Sequence, residues 1–226
     1  ISNILSKVDL SVKKKIILYF LMIGIIDLGI SNIRNICRFF DQIKKDYIVI
    51  RNISDFNRIN ILILPGVGSF GSGVEELKKK DFFNNIVNHC KNGKLLIGVC
   101  LGMQLMMKES DENEGILGLE LFNNSIKKLN FNLTQKKIHV GWNKIQLINN
   151  HNNFFNEFND KDFYFTHSFF LNSIDSNCFA KTRFNDEELI SFFVKDNIVG
   201  CQFHLELSGR NGFDLMKQIL RYEKKL

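Results

Sequence analysis

Proline is almost missing from this chain: one residue, Pro65, in 226. Beside abundant Ile, Asn, Lys and Phe, that scarcity reads as a genome-wide composition bias and says little about chemistry. Cysteine is sparse as well. The five cysteines include no C-x-x-C pair, which argues against a disulfide framework and against a structural zinc site and favours a reducing cytoplasm as the expected location. A basic arm is also lacking. The net charge is +6, but the thirty Lys and Arg are scattered rather than gathered in an aromatic-interleaved patch, so no nucleic-acid partner is expected. No membrane partner is expected either. The apolar run Ile16–Ile26 after Lys13–Lys15 is too short to span a bilayer, and it leads into Asp27 without a small-residue cleavage pattern. Residues 1–21 are expected to be an extension outside the fold, to which no role is assigned, and residues 22–226 to be the domain.

What is present is ordinary for a folded, water-soluble protein: 45% hydrophobic and 24% charged residues, enough for one continuous core. Short apolar runs alternate with amphipathic stretches through the first half: Ile23–Ile26 then Ile33–Ile43, Ile48–Ile50, Ile61–Leu64 then Val74–Val87, and Leu95–Val99 then Met103–Lys108. Such alternation indicates parallel strands with crossover helices, an α/β fold. Ser31 or Asn32 is placed to cap the first helix, and Gly93 to end the one before Leu95. Beyond Gly115 the pattern changes to strand-like pieces at Lys136–Trp142, Phe163–Phe165, Ala180–Arg183, Ile190–Val194 and Ile198–Phe203. A closing helix is expected at Gly212–Arg221, and the polar stretch Asn149–Asp160 reads as a loop.

Three segments carry chemistry. Leu95–Gln104 is a buried strand, a G-x-C-x-G turn and a helix start, the thiol version of a nucleophile elbow. The flanking glycines permit a tight turn that presents Cys100 outward. A helix N-terminus there favours thiolate, and the Leu101 amide points where an oxyanion would form. Most free cysteines are small buried hydrophobes, and Cys37, Cys90, Cys178 and Cys201, without such a turn, are read that way. Near the other end, a strand runs into His204-Leu205-Glu206. In an extended segment, residues two apart share a side, so Glu206 can bond one imidazole nitrogen while the other faces the thiol. Between them lies Leu64-Pro65-Gly66-Val67-Gly68-Ser69-Phe70-Gly71, a glycine-rich turn able to aim backbone amides at a ligand. It lacks the ending of a P-loop and the spacing of a dinucleotide site.

At these segments together the sequence resembles the class I glutamine amidotransferases, and within them the glutaminase subunits of imidazole glycerol phosphate synthase. The resemblance runs from Ile23 to about Leu220. It includes Gly24–Gly29 with Ser31 and Asn32, the Pro65–Phe70 turn, Gly98–Gln104, His139–Asn143 and Tyr164–Ser168. It implies a flavodoxin-like, mostly parallel sheet with helices on both faces and a β-rich second half. It also implies that Cys100 attacks the glutamine carboxamide, with His204 as acid and base and Glu206 orienting it. Amides of Gly66, Val67, Gly68 and Leu101 would hold the oxyanion. Gln104 would contact glutamine, and Tyr164, His167 and Ser168 would line the pocket or its partner-facing rim. No metal and no cofactor are implied. The implied partner is a (β/α)8 barrel cyclase, forming a heterodimer that makes imidazole glycerol phosphate and aminoimidazole carboxamide ribotide.

His139 and Trp142 stand open between a strand residue with a core aromatic and an interface role. Two departures touch preorganisation. Leu205 and Leu207 replace the family's usual Pro and Lys around the Glu, removing a fixed φ beside the His-Glu pair, and Ile138 replaces a Pro before His139. Two other functions stay open on sequence: a glutaminase serving an amidino sugar of surface polysaccharide, and a non-catalytic glutamine-binding subunit.

Overall fold

The computed structural model describes residues 22–29, 32–130, 138–150, 153–176 and 178–222. The expected extension and Ser31 lie outside them. The fully buried strand β1 (Ile23–Ile26) leads to helix α1 (Ile33–Gln42), whose first turn is capped by Asn32 Oδ1 accepting from Asn35 N. After β2 (Tyr47–Ile50) and β3 (Ile61–Leu64), two ten-residue helices follow, α2 (Phe70–Lys79) and α3 (Phe82–Lys91). The stretch expected as a single segment from Val74 to Val87 is thus broken. Asp81 takes φ 55°, a left-handed turn no helix carries through.

β4 (Leu95–Val99) then enters α4 (Leu101–Leu105), which stops after five residues, and Met107–Ser110 leaves as strand β5. A helix over Met103–Lys108 is therefore corrected. Pairing of Met107 with Phe122 and of Ser110 with Ile126 in β6 (Phe122–Lys128) overrides the local helical pattern. The second half supplies β7 (His139–Lys144), β8 (Gln146–Asn150), β9 (Asp162–His167), β10 (Phe169–Phe170), β11 (Cys178–Phe184), β12 (Glu187–Lys195), β13 (Ile198–Cys201) and the closing helix α5 (Gly209–Tyr222).

Eight of these strands form one sheet in the order β2-β1-β3-β4-β13-β12-β11-β8. From β2 to β13 neighbours run parallel, and from β13 to β8 antiparallel. β10-β6-β5 and β7-β9 are small separate sheets. Side chains alternate across the large sheet into two apolar layers. Ile25, Ile63 and Ile97 point to the layer holding α1 and α5, where Phe39 stacks on Phe213 at 5.0 Å, while Ile26, Leu62 and Leu96 point to the layer of α2, α3 and α4. Phenylalanine dominates the fully buried volume, with Phe40, Phe70, Phe155, Phe163, Phe192 and Phe203 among the largest side chains removed from water. The polar stretch read as a loop at 149–160 contains a 3-10 turn, Asn156–Phe158, that drives Phe155 and Phe158 into the first layer. Among the described residues no helix is long and apolar enough to cross a membrane.

Candidate active site

The elbow follows from where β4 ends. The strand is central, between β3 and β13, and it ends where these parallel neighbours end. Cys100 turns the chain there with φ 52° and ψ −110°, a conformation costly for a residue with a side chain and held by its neighbours: Cys100 N donates to Cys201 O at 2.7 Å. Gly102 lets α4 lie against β3, because a Cβ there would land on the Leu64 carbonyl. With five residues α4 adds only a limited dipole. Cys100 Sγ is 3.8 Å from Thr166 O and 3.9 Å from Gln202 Nε2.

His204 arrives from β13, the strand beside β4. Its N–H donates to Tyr164 O at 2.8 Å, and its carbonyl accepts from Ser208 Oγ at 2.6 Å. Glu206 lies on the 3-10 turn Leu205–Leu207, not on an extended strand, so the same-side argument from residues two apart does not describe how the pair meets. They meet through that turn: His204 Nδ1 faces Glu206 Oε1 at 2.7 Å, with both side chains nearly sealed from water. Opposite a carboxylate, Nδ1 carries the proton. Leu205, in place of proline, is buried in the core and holds the turn by packing instead of by a fixed φ. His204 Nε2 and Glu206 Oε2 are buried without a hydrogen-bond partner. Burial pulls the imidazole pKa down, but its interactions with Cys100 and then Glu206 outweigh burial and push it up to about 10. The ring is thereby held protonated through neutral pH.

Before the thiol opens a cavity of about 280 Å³, at the small end for ligand pockets. Val67, Gly68, Leu101 and Gln104 line it together with Thr166, His167, Ser168 and Phe169. Gly66 is not on the wall. It packs against Leu101, with 2.9 Å between a virtual Cβ and the Leu101 Cβ. Gly68 takes φ +108° in open space, so the turn's backbone is of a kind that other residues rarely adopt. Tyr164 is also off the wall. It pairs with His204 across an isolated bridge and sets its ring 5.9 Å from Trp142.

His139 is buried between Phe165 and Phe184, bonded to His167 at 2.9 Å. Trp142 is 57% exposed, which removes the core-aromatic reading. With Val140, and with Ile138, which also lines the cavity, it makes an exposed apolar stripe along β7.

Sequence reasoning missed Glu112 and Gln202. Glu112 sits in an acidic stretch with nothing to distinguish it from its neighbours. The chain after β5 folds back onto the start of α2, where Glu112 Oε2 accepts from Phe70 N at 2.7 Å and Asn113 Oδ1 from Gly71 N at 2.8 Å, bringing the Glu112 carboxylate to the cavity wall. Gln202 lies two residues before His204, and a polar residue at the end of a buried strand was the available signal.

The chain is similar to known proteins. The family model described as glutamine amidotransferase class-I matches residues 24–219. A Prochlorococcus marinus (strain MIT 9211) protein named imidazole glycerol phosphate synthase subunit HisH is 33% identical over 200 residues, covering 88% of this chain and 94% of its own. One of the same name from Methanocaldococcus jannaschii is 34% identical over 200 residues, covering 88% and 98%. Among solved structures, PurLQS from Thermotoga maritima superposes with a TM-score of 0.69 at 20% identity over 90% of this chain and 99% of that one, a likeness of fold.

Proposed function

The chain belongs to the class I glutamine amidotransferase family, and from that premise we propose that it hydrolyses glutamine through Cys100, His204 and Glu206 and passes the ammonia to a cyclase partner. The reading rests on one observation above the rest: an imidazole bonded to a carboxylate, its Nε2 buried without a hydrogen-bond partner, interacts electrostatically with Cys100, which lines the cavity.

The Cys100 sulfur attacks the carboxamide carbon of glutamine, and the carbonyl oxygen takes up the negative charge. Amides of Leu101 and of the Val67–Gly68 turn receive it. His204 gives its proton to the departing nitrogen, which leaves as ammonia, and a γ-glutamyl thioester remains on Cys100. Neutral His204 then takes a proton from water, the hydroxide displaces sulfur, and glutamate is released with the thiol restored. Glu206 holds the ring in the required tautomer throughout. Glutamine also carries an α-ammonium, and the Glu112 carboxylate on the wall is the acid group suited to it. The Gln104 NH2 is occupied by Phe169 O and Gln202 Oε1, which leaves its carbonyl oxygen for the substrate.

The names of the relatives support a glutaminase subunit of imidazole glycerol phosphate synthase, whose (β/α)8 barrel partner forms imidazole glycerol phosphate and aminoimidazole carboxamide ribotide. The apolar stripe of Ile138, Val140 and Trp142 is the docking surface for that partner in this reading, since exposed apolar patches of this kind mark interaction sites. Glutamate release from glutamine, measured for the pure chain and for the chain with a barrel cyclase and its acceptor ligand, tests the proposal. Hydrolysis dependent on Cys100 and coupled to product formation is expected. No hydrolysis in either sample would overturn it.

A further inference from the structure

Behind the cavity a hydrogen-bond network reaches beyond the triad. The Phe169 carbonyl accepts from two side chains at once, Gln104 Nε2 and His167 Nδ1, each at 2.9 Å. A main-chain carbonyl can only accept, so this one oxygen sets the polarity of everything attached to it. On one branch, the Gln104 group facing it is the NH2. Its other N–H meets Gln202 at 3.1 Å, so the Gln202 atom there is the carbonyl oxygen, and the Gln202 NH2 is turned to Cys100 Sγ at 3.9 Å. On the other branch, His167 carries its proton on Nδ1. Burial and the neighbouring His139 hold His167 down to about 3, so its ring is neutral and Nε2 accepts from His139 Nδ1. His139 Nε2 in turn accepts from Asn143, whose own amide is oriented by the Arg183 carbonyl and the Lys144 N–H. No member of the chain can be reversed without facing two donors or two acceptors at each other.

Gln202 is fully buried, and a carboxamide without water is costly unless both ends are bonded. Its oxygen is bonded to Gln104, and the partner of its NH2 is the sulfur. From this geometry we infer that Gln202 is a positioning residue for the hydrolysis of glutamine, holding the Cys100 sulfur with a preoriented N–H donor and tying it to Gln104 on the cavity wall. The inference rests on Cys100 being the nucleophile. Hydrogen bonds to an ionised partner are about twice as strong as neutral ones, so the donor favours the sulfur in its attacking form and fixes where it points.

Gln202→Met keeps the volume and removes the donor. Alkylation of Cys100 by iodoacetamide at fixed neutral pH, followed on the Cys100 peptide, is expected to slow about tenfold, and kcat for glutamine hydrolysis to fall by a similar factor with KM moving less. Unchanged alkylation with the loss confined to KM would overturn the inference, because Gln202 would then only prop Gln104. Should the variant not fold, nitrogen-15 spectra of the parent protein decide: the Gln202 side-chain amide proton is expected to move upfield in Cys100→Ala, where its acceptor is gone, and an unmoved resonance would overturn the role. Hydrolysis surviving Cys100→Ala would defeat the proposed chemistry itself. Hydrolysis lost there while Gln202→Met alkylates normally would defeat the role of Gln202 alone.

Discussion

Cys100, His204 and Glu206 carry the proposed chemistry, and their variants separate it from packing. Cys100→Ala is expected to abolish glutamine hydrolysis, whereas Cys37→Ala and Cys90→Ala leave most of it, since neither residue reaches the cavity. Glutamate release measured on the purified variants checks this, and a Cys100→Ala protein working at the parent rate would sink the assignment. His204 gives a pH prediction. Its folded value near 10 lies above the ordinary 6.5, so the stability it contributes is fully present below about pH 6.5 and is lost as pH rises through about 10. Cys100 is the first of the interactions raising it. In Cys100→Ala the urea midpoint should therefore fall less steeply than in the parent between about pH 6 and about pH 10. Equal slopes would show that Glu206 alone holds the proton.

Short elements make the site, and their closeness is the source of its sensitivity. α4 lies directly on the end of β3 because residue 102 has no side chain. Gly102→Ala is expected to cost about 2 to 3 kcal/mol, since the new carbon meets a main-chain carbonyl that cannot move aside cheaply. Chemical denaturation measures the cost, and a loss of less than about 0.5 kcal/mol would show that α4 can shift. The parallel strands, α1 and the elbow were legible in the sequence because their apolar periods agree with their tertiary setting: Ile23–Ile26 and Leu95–Val99 are buried on both faces and read as unbroken apolar runs. Met107–Ser110 was not, because its strand state depends on pairing with Phe122–Lys128, a partner that local pattern does not reveal. The turn at Leu205–Leu207 was missed for a related reason: three residues after a strand carry no period, and the packing of Leu205 decides their shape.

At the scale of the whole molecule the cavity and the apolar stripe open on neighbouring segments, β7 and β9, so a partner seated on the stripe lies beside the mouth. Trp142→Ala is expected to leave the stability of the isolated chain within about 0.5 kcal/mol, because the ring is mostly in water. The same change should weaken binding to the barrel partner by about 2 kcal/mol, as buried aromatic anchors do. Calorimetry of the two proteins tests both halves, and undiminished affinity would move the docking surface elsewhere. Hydrolysis by the isolated chain is expected to be slow and to rise on the order of a hundredfold when the partner and its acceptor bind. The Gly66–Gly68 turn has the backbone freedom to complete or withhold an oxyanion donor, and one such donor is worth about that factor. Equal turnover with and without the partner would mark a free-standing glutaminase.

The sequence by itself determined the alternation of strand and helix, the elbow at Cys100 and the pairing of His204 with Glu206, because each is written within a few neighbouring residues. Only the tertiary structure decided which groups share the cavity. Glu112 reaches it by a fold-back over the start of α2, Tyr164 and Gly66 fall outside it, and Gln202 joins Gln104 across ninety-eight positions of chain. Local propensity has no term for contacts at that separation. They are fixed by the order of strands in the sheet, which sets β13 beside β4 and so brings the two ends of the triad together.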